Sequence, residues 1–512
     1  MRRVFLAGFA LALVAGETIG SPQAGVDADT AEWWKITGDL SGDAMEGRDT
    51  GSEGHARAVR YVIDRFGKAG LKPAGEQGGW TQTLPLKEVR VEKDGTSFDV
   101  ARDDGSNESL RFLHQITVRP TDQLPAAIAA PLAFRGYCSA AELGASTKGK
   151  VAVCFGGRRD GVPGAAERIR AAADAGAVGI INVDDPGFTI EPSRWPEAYA
   201  RSISFRDAGP PASPQLAVMR LNSNALASLI QGSGQDADAI LQAGAASQRL
   251  PVFDIPSVVK AAFKLSRREF TSDNVLGILP GTDQALAAET VIVSAHLDGF
   301  GHGEAIDGDS LYNGSFDNAA YVATLIRLAE QRKGRGFRRS VLFAVYTGEE
   351  KGLLGSNWFA GHLTVPKANL AAVINLDQLR PLFPLEILTM HAITDTTLAA
   401  NVKRVAAGMG IEIRPDLEPE RNLNQRTDHF PFLKMGVPAT SFVFGFDPGT
   451  ESERRYREWY QVRYHRPQDD MSQPLDWGAA RDMNTFFYRL TEDVAEASER
   501  PGFVTGSPFA PQ

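Results

Sequence analysis

Cysteine is almost missing from this chain: 512 residues contain two, Cys138 and Cys154. That excludes a disulfide-built scaffold and any metal site made of cysteine clusters. Positive charge is also in deficit. Lys and Arg number 54 against 63 Asp and Glu, a formal net charge of −9, so there is no basic field for nucleic acid. Beyond the N-terminus no apolar run is long enough to span a bilayer. Internal repeats and long low-complexity tracts are lacking too. What remains, 43% hydrophobic and 23% charged residues, is ordinary for a soluble globular chain, and the length suggests two to four domains.

At the N-terminus, Met1-Arg2-Arg3 precedes VFLAGFALALVAG, an apolar run of about the length of a signal-peptide core. Residues 1–24 are therefore expected to be a signal peptide and the mature protein to be exported, to a periplasm or outside the cell. No cysteine follows the run, which argues against a lipid anchor. Export would permit Cys138 and Cys154 to pair; two buried free thiols satisfy the sequence equally well.

The chain divides by pattern. In residues 28–118 the first part is helical: Ser52 is placed to cap a helix whose apolar face carries Ala56, Val59, Val62, Ile63 and Phe66, with Gly70 to end it. Strands come after it. Residues 119–262 read as an inserted small α/β module, with the strand KGKVAVCF, the helix AAERIRAAADAG and the strand AVGIINV. From 268 to 498 the strands NVLGIL, TVIVSAH, SVLFAVY and AAVINLD alternate with helical stretches, which predicts an α/β fold with a mostly parallel sheet covered by helices. The Gly/Pro/Ser-rich tail, 499–512, is expected to be loose.

Ligand sites of open α/β sheets form outside the carboxyl ends of the strands. Three strands here run into polar groups: His296 and Asp298, then Glu349 and Glu350, then Asp377. Asp317 stands before a helix, and Tyr464-His465 lie far downstream. Each has an ordinary reading alone, Asp317 as a helix cap, His465 as a surface imidazole, Glu349-Glu350 as a solvated acidic turn. Together they supply nitrogen and oxygen ligands at several strand ends, as a zinc site requires, and a carboxylate to bridge two ions.

The ordered motifs HLD, YNGSFDNAA, TGEEKGLLGS, NLD, TDHFPFLKMGVPA and YH resemble the zinc-dependent exopeptidases of the M28 family. The segment 119–262 resembles the protease-associated domain inserted in several peptidases. The resemblance implies a zinc-exopeptidase, phosphorylase/hydrolase-like sheet, and two Zn2+ per chain. By it, His296 and Asp377 would hold one ion, Glu350 and His465 the other, and Asp317 would bridge them. Asp298 would hydrogen-bond the His296 imidazole, Glu349 would act as general base toward the attacking water, and Tyr464 would donate to the oxyanion. The insert would shape access without supplying chemistry.

The chain departs from the family pattern at DNAAY, where Tyr321 replaces a glycine of many bacterial relatives, and at HLDG, where Gly299 replaces a second histidine. Tyr321 is expected first to pack into the core and only second to touch substrate, and Arg380 is a candidate for substrate contact. The cluster RRYREWYQVRYHR reads as a solvated helix face from which Arg463 or Arg466 is a secondary candidate to read a substrate carboxylate; none of the three arginines has a spacing that compels it inward. The acidic site favours a peptide's free α-amine, hence an aminopeptidase acting on peptide substrates. A glutamate-carboxypeptidase-like carboxypeptidase or dipeptidase, a zinc glutaminyl cyclase and a non-catalytic receptor-like protein are the alternatives on the same fold. The sequence specifies neither side-chain preference nor oligomeric state.

Overall fold

The computed structural model describes residues 25–157, 161–209 and 216–511; the expected signal segment lies outside the described residues. The chain begins with helices α1 (Ala28–Ser41) and α2 (Glu53–Lys68). Ser52 caps α2 by accepting from His55 N at 3.1 Å, and Gly70, at φ +87°, turns the chain away after it. That left-handed conformation is open to glycine without a Cβ clash.

Two long strands organise the next part of the chain. Strand β1 (Thr81–Arg102) pairs antiparallel with the 28-residue strand that closes the inserted region, Val252–Leu279. Between them lie β2 (Ala127–Arg135), β3 (Val151–Phe155), helix α3 (Ala165–Asp174), β4 (Gly179–Val183), β5 (Ala200–Phe205) and β6 (Ala217–Leu221). The closing strand is β7. Its first half pairs with β2 and its last five residues pair with β9 (Ser340–Tyr346). One sheet thus continues through β7 from the inserted region into the other half of the molecule.

That second half is built from β8 (Thr290–His296), helix α4 (Ala320–Arg332), β9, β10 (Leu370–Asn375), β11 (Ala439–Thr440), helix α5 (Glu451–Val462) and helix α6 (Trp477–Glu496). The order β11-β10-β8-β9 is parallel throughout, and β7 joins β9 antiparallel. Every residue of β8, β9 and β10 is buried, because helices cover both faces; their near-continuous apolar sequence reflects that. One core gathers around α4, α1 and α6, and a separate one fills the inserted region. There Cys138 and Cys154 form a disulfide beside Ala152 and Ile180. Among the described residues no helix is long and apolar enough to cross a membrane.

The expected looseness of the C-terminal tail does not hold. Phe503 and Phe509 pack on the core containing Phe432 and Val437. Val504 N donates to Asp395 O and Gly502 N to Thr397 Oγ1, both at 2.8 Å. Composition suggested mobility, but two phenylalanines with an apolar surface to cover outweigh the glycines and prolines around them. Deleting residues 501–512 should therefore remove about 2–3 kcal/mol of stability, the burial of two partly covered rings. Calorimetry of the truncated and full chains checks this; equal midpoints would restore the loose tail.

Candidate functional site

The strand order puts the carboxyl ends of β8, β9 and β10 side by side, and the polar residues lie just beyond those ends. His296 is the last residue of β8, Glu349-Glu350 lie three residues past β9, and Asp377 two past β10. Asp317 sits in the irregular turn before α4, and His465 comes after α5 at φ +55°, a conformation uncommon outside glycine.

Asp317 lies between the two imidazoles. Its Oδ1 is 3.3 Å from His296 Nε2 and its Oδ2 3.3 Å from His465 Nε2. His465 Nε2 is also 3.2 Å from Glu350 Oε2, and His296 Nε2 is 3.9 Å from Glu349 Oε2. Ligand atoms of His296, Glu349 and Asp377 fall within 4.8 Å of one another, as do those of His296, Asp317 and Glu350. The Tyr464 ring stands 3.7 Å from that of His465. All the expected ligands, together with Glu349, Asp298 and Tyr464, therefore meet in one crevice.

Asp317 Oδ2, Glu350 Oε1 and Asp377 Oδ2 are buried and accept no hydrogen bond from the described residues. Buried polar atoms are nearly always paired, and carboxylates in dry surroundings need a positive neighbour. Imidazole nitrogens facing such oxygens are the donor set zinc takes, so the residues fit a metal. The electrostatics agree. Burial pushes the Glu349 carboxyl well up, with the charges of Asp377 and Glu350 adding to it. Asp377 is raised by burial and by Asp317. Burial works against charge on His296, yet Glu349 and Asp317 hold its imidazole well above the ordinary value. Asp317 goes the other way: burial is outweighed by the two imidazoles and by Arg380. Asp428, fully buried in the same surroundings, is pushed up to about 7 by burial.

The supporting groups differ from expectation in three respects. The Asp298 carboxylate does not hydrogen-bond the His296 imidazole: Oδ1 is 3.8 Å from Nδ1, and Nδ1 pairs instead with the Asp298 main-chain carbonyl at 3.1 Å. The carboxylate is occupied by Glu349 N and Thr50 Oγ1, each 3.0 Å away, so it fixes the turn that carries Glu349. Tyr321 and Arg380 offer no exposed surface to a substrate. Both are fully buried, Tyr321 in the core and Arg380 against Trp459, with Arg380 Nη1 donating to the phenol at 3.2 Å and Nη2 3.6 Å from Asp317 Oδ2. Arg463 and Arg466 are engaged with main-chain carbonyls, of Gln468 and Trp195. Residues 119–262, the expected insert, reach the site as a wall of it: Arg194 lies 4.2 Å above the Tyr464 ring.

Two supporting residues escape a reading of motifs. Asp469 accepts from the main-chain nitrogens of Phe316 and Asp317, both at 3.0 Å, and so clamps the residue that lies between the two imidazoles. Arg48 is fully buried and donates to the carbonyls of Leu297, Leu40, Asn313 and Gly314 at 2.7–2.8 Å, stitching together the loops of His296 and Asp317. Closeness to His465 in the chain was the one signal for Asp469; Arg48 had none.

Comparison with known proteins comes to the same region. The profile of peptidase family M28 matches residues 274–491. A curated relative, leupeptin-inactivating enzyme 1 of Streptomyces exfoliatus, is 25% identical over 255 residues, which are 47% of this chain and 54% of that protein. The chain thus spans about half the length of that relative. An aminopeptidase from Aneurinibacillus sp. strain AM-1 superposes with a TM-score of 0.61 at 17% identity, covering 92% of this chain and 95% of that one. A zinc aminopeptidase from Bacillus subtilis superposes with a TM-score of 0.58 at 16% identity, covering 93% and 97%. These two share the fold.

The place of Asp298 gives a direct test. In metal-free protein, Asp298→Ala should cost about 2–4 kcal/mol, because Glu349 N–H and the Thr50 hydroxyl lose their acceptor together. Urea unfolding in the presence of a chelator reads this. A loss that appeared only after zinc was added would return the carboxylate to His296.

Proposed function

We propose, because residues 274–491 match the profile of peptidase family M28, that the protein is an exported di-zinc exopeptidase that removes residues from the N-termini of peptides. The observation that carries this reading is Asp317, whose Oδ1 lies 3.3 Å from the His296 imidazole and whose Oδ2, without a hydrogen bond among the described residues, lies 3.3 Å from that of His465. Asp317 would bridge two ions, with His296 and Asp377 on one side and Glu350 and His465 on the other. Bound zinc would supply Lewis acidity and offset the crowded negative charge.

The chain's own groups account for the rest. Glu349 is the general base: its carboxylate takes a proton from the attacking water and returns it to the leaving nitrogen as the C–N bond breaks. Its raised affinity for a proton, caused first by burial, suits that exchange near neutral pH. Asp298, bonded to Glu349 N, keeps the base aimed. Tyr464, buried beside His465, donates its hydroxyl to the oxygen that gains charge. The carboxylates around the crevice favour a free ammonium on the substrate.

A second reading has one specific support. Arg194 Nε and Nη2 have no hydrogen-bond partner among the described residues although buried, and the nearest carboxylate, Glu191 at 3.8 Å, also faces Arg426 at 2.9 Å. A cation so placed beside Tyr464 would suit a substrate carboxylate, as a carboxypeptidase or dipeptidase requires.

Metal content and turnover should separate by residue. Wild-type protein should bind about two zinc ions by elemental analysis, and Asp317→Ala should lose metal. Glu349→Gln should keep its metal while turnover falls by about 10²–10⁴-fold; an emptied site would make Glu349 a ligand instead of the base. Acetylating the substrate's N-terminus should lower kcat/KM on the order of 10–100-fold, since a charged hydrogen-bonding group is lost. Amidating its C-terminus should change little. The reverse pattern would select the second reading.

A further inference from the structure

A continuous column of stacked groups starts and finishes in the inserted region. The guanidinium of Arg201 lies 4.2 Å from the Tyr199 ring, and Tyr199 stacks on Phe300 at 5.9 Å and 27°. Phe300 sits 4.4 Å from the His465 imidazole, which in turn lies 3.7 Å from Tyr464, under Arg194. Tyr199 and Arg201 are held from outside the column. Residues Ala200–Phe205 pair with β1, and Arg201 makes a two-point ion pair with Asp49. Lys351, the residue after Glu350, donates to the Tyr199 hydroxyl at 2.9 Å and to Gly299 O at 3.2 Å, with Asp49 Oδ1 3.7 Å away. Its side chain is 6% exposed.

His465 needs such support. It comes after the end of α5 at φ +55°, outside any strand or helix, whereas His296 is held within a strand. An imidazole on an irregular segment keeps its ring plane only if something packs against it, and metal affinity depends on such outer contacts. Phe300 supplies one face and Tyr464 lies against the ring from the next position. Phe300 in turn is braced by a ring that belongs to the insert.

We propose that Tyr199 is a positioning residue: through Phe300 it sets the plane of His465, so that the inserted region controls how tightly the Glu350–His465 side of the site holds zinc. This rests on the metallopeptidase reading above. The hydroxyl bond to Lys351 orients Tyr199, and the ring carries the effect. The insert is then part of the metal site's architecture as well as a wall of the crevice.

The test is zinc affinity of the full chain, measured by competition with a chromophoric chelator, with circular dichroism and melting in the metal-free state to verify folding. Tyr199→Ala should weaken binding of one of the two zinc ions by about 10–100-fold, the range for outer contacts of metal ligands, and leave the other near wild type, while Tyr199→Phe, which keeps the ring, should stay near wild type for both. Phe300→Leu interrupts the column without touching the insert and should give the same loss, which keeps the proposal testable if Tyr199→Ala fails to fold. Phe134→Leu, which disturbs the insert's own core at its stack with Phe253, should leave zinc binding unchanged. Wild-type affinity in folded Tyr199→Ala or Phe300→Leu, an equal loss in Tyr199→Phe, or an equal loss in Phe134→Leu would overturn the proposal. If wild-type protein itself bound no zinc, the metallopeptidase reading would fall first.

Discussion

Asp317, Glu350 and Asp377 each carry a buried oxygen with no hydrogen bond among the described residues, and Glu349 and Asp428 share the same surroundings. A cluster of carboxylates in a dry crevice repels itself and forfeits its hydration, and it persists only where a rigid frame holds the groups and a cation can answer them. Much of the surrounding structure serves as that frame. Asp469 grips the main chain at Phe316 and Asp317, Asp298 grips that at Glu349, and Arg48 directs its donors to four carbonyls of the neighbouring loops. None of these contacts neutralises the ligand oxygens. They fix positions, and Asp317 Oδ2, Glu350 Oε1 and Asp377 Oδ2 stay without a hydrogen bond among the described residues.

The arginines near the site divide accordingly. Arg380 is a buried guanidinium 3.6 Å from a ligand carboxylate, that of Asp317, and it is kept there by the Tyr321 phenol and the face of Trp459. Tyr321 thus has a role its position in the motif does not suggest: it holds a cation at the back of the site. Arg194 stands on the other side, over Tyr464, with two nitrogens left unbonded among the described residues. The two face different partners, Arg380 the Asp317 carboxylate and Arg194 the Tyr464 ring.

The continuity of the sheet through β7 explains how a separate core comes to matter at the crevice. Its first half belongs to the insert and its last residues pair with β9, the strand that leads to Glu349-Glu350. Because β1 runs along β7 over most of its length and β5 is added to β1, the segment carrying Tyr199 and Arg201 is tied by backbone hydrogen bonds to the sheet that bears the site. Side chains on such a frame keep their geometry, which loose docking of two domains would not ensure.

The sequence by itself determined the parts whose physics is local. Near-continuous apolar runs became β8, β9 and β10, Ser52 and Gly70 bounded α2, and the polar residues after each strand were legible as one constellation because parallel strands bring their carboxyl ends to one edge. Tertiary structure decided whatever depends on partners distant in the chain. It drew Arg194 against Tyr464 and Tyr199 against Phe300, it gave the Asp298 carboxylate to Thr50 and Glu349 N instead of His296, and it packed Phe503 and Phe509 where composition suggested a free end. No local pattern marks such residues, since an arginine over a tyrosine or a carboxylate between two donors is defined only by three-dimensional neighbours. Ligand types are fixed by chemistry that a motif can carry; their aim is fixed by packing, which a motif cannot.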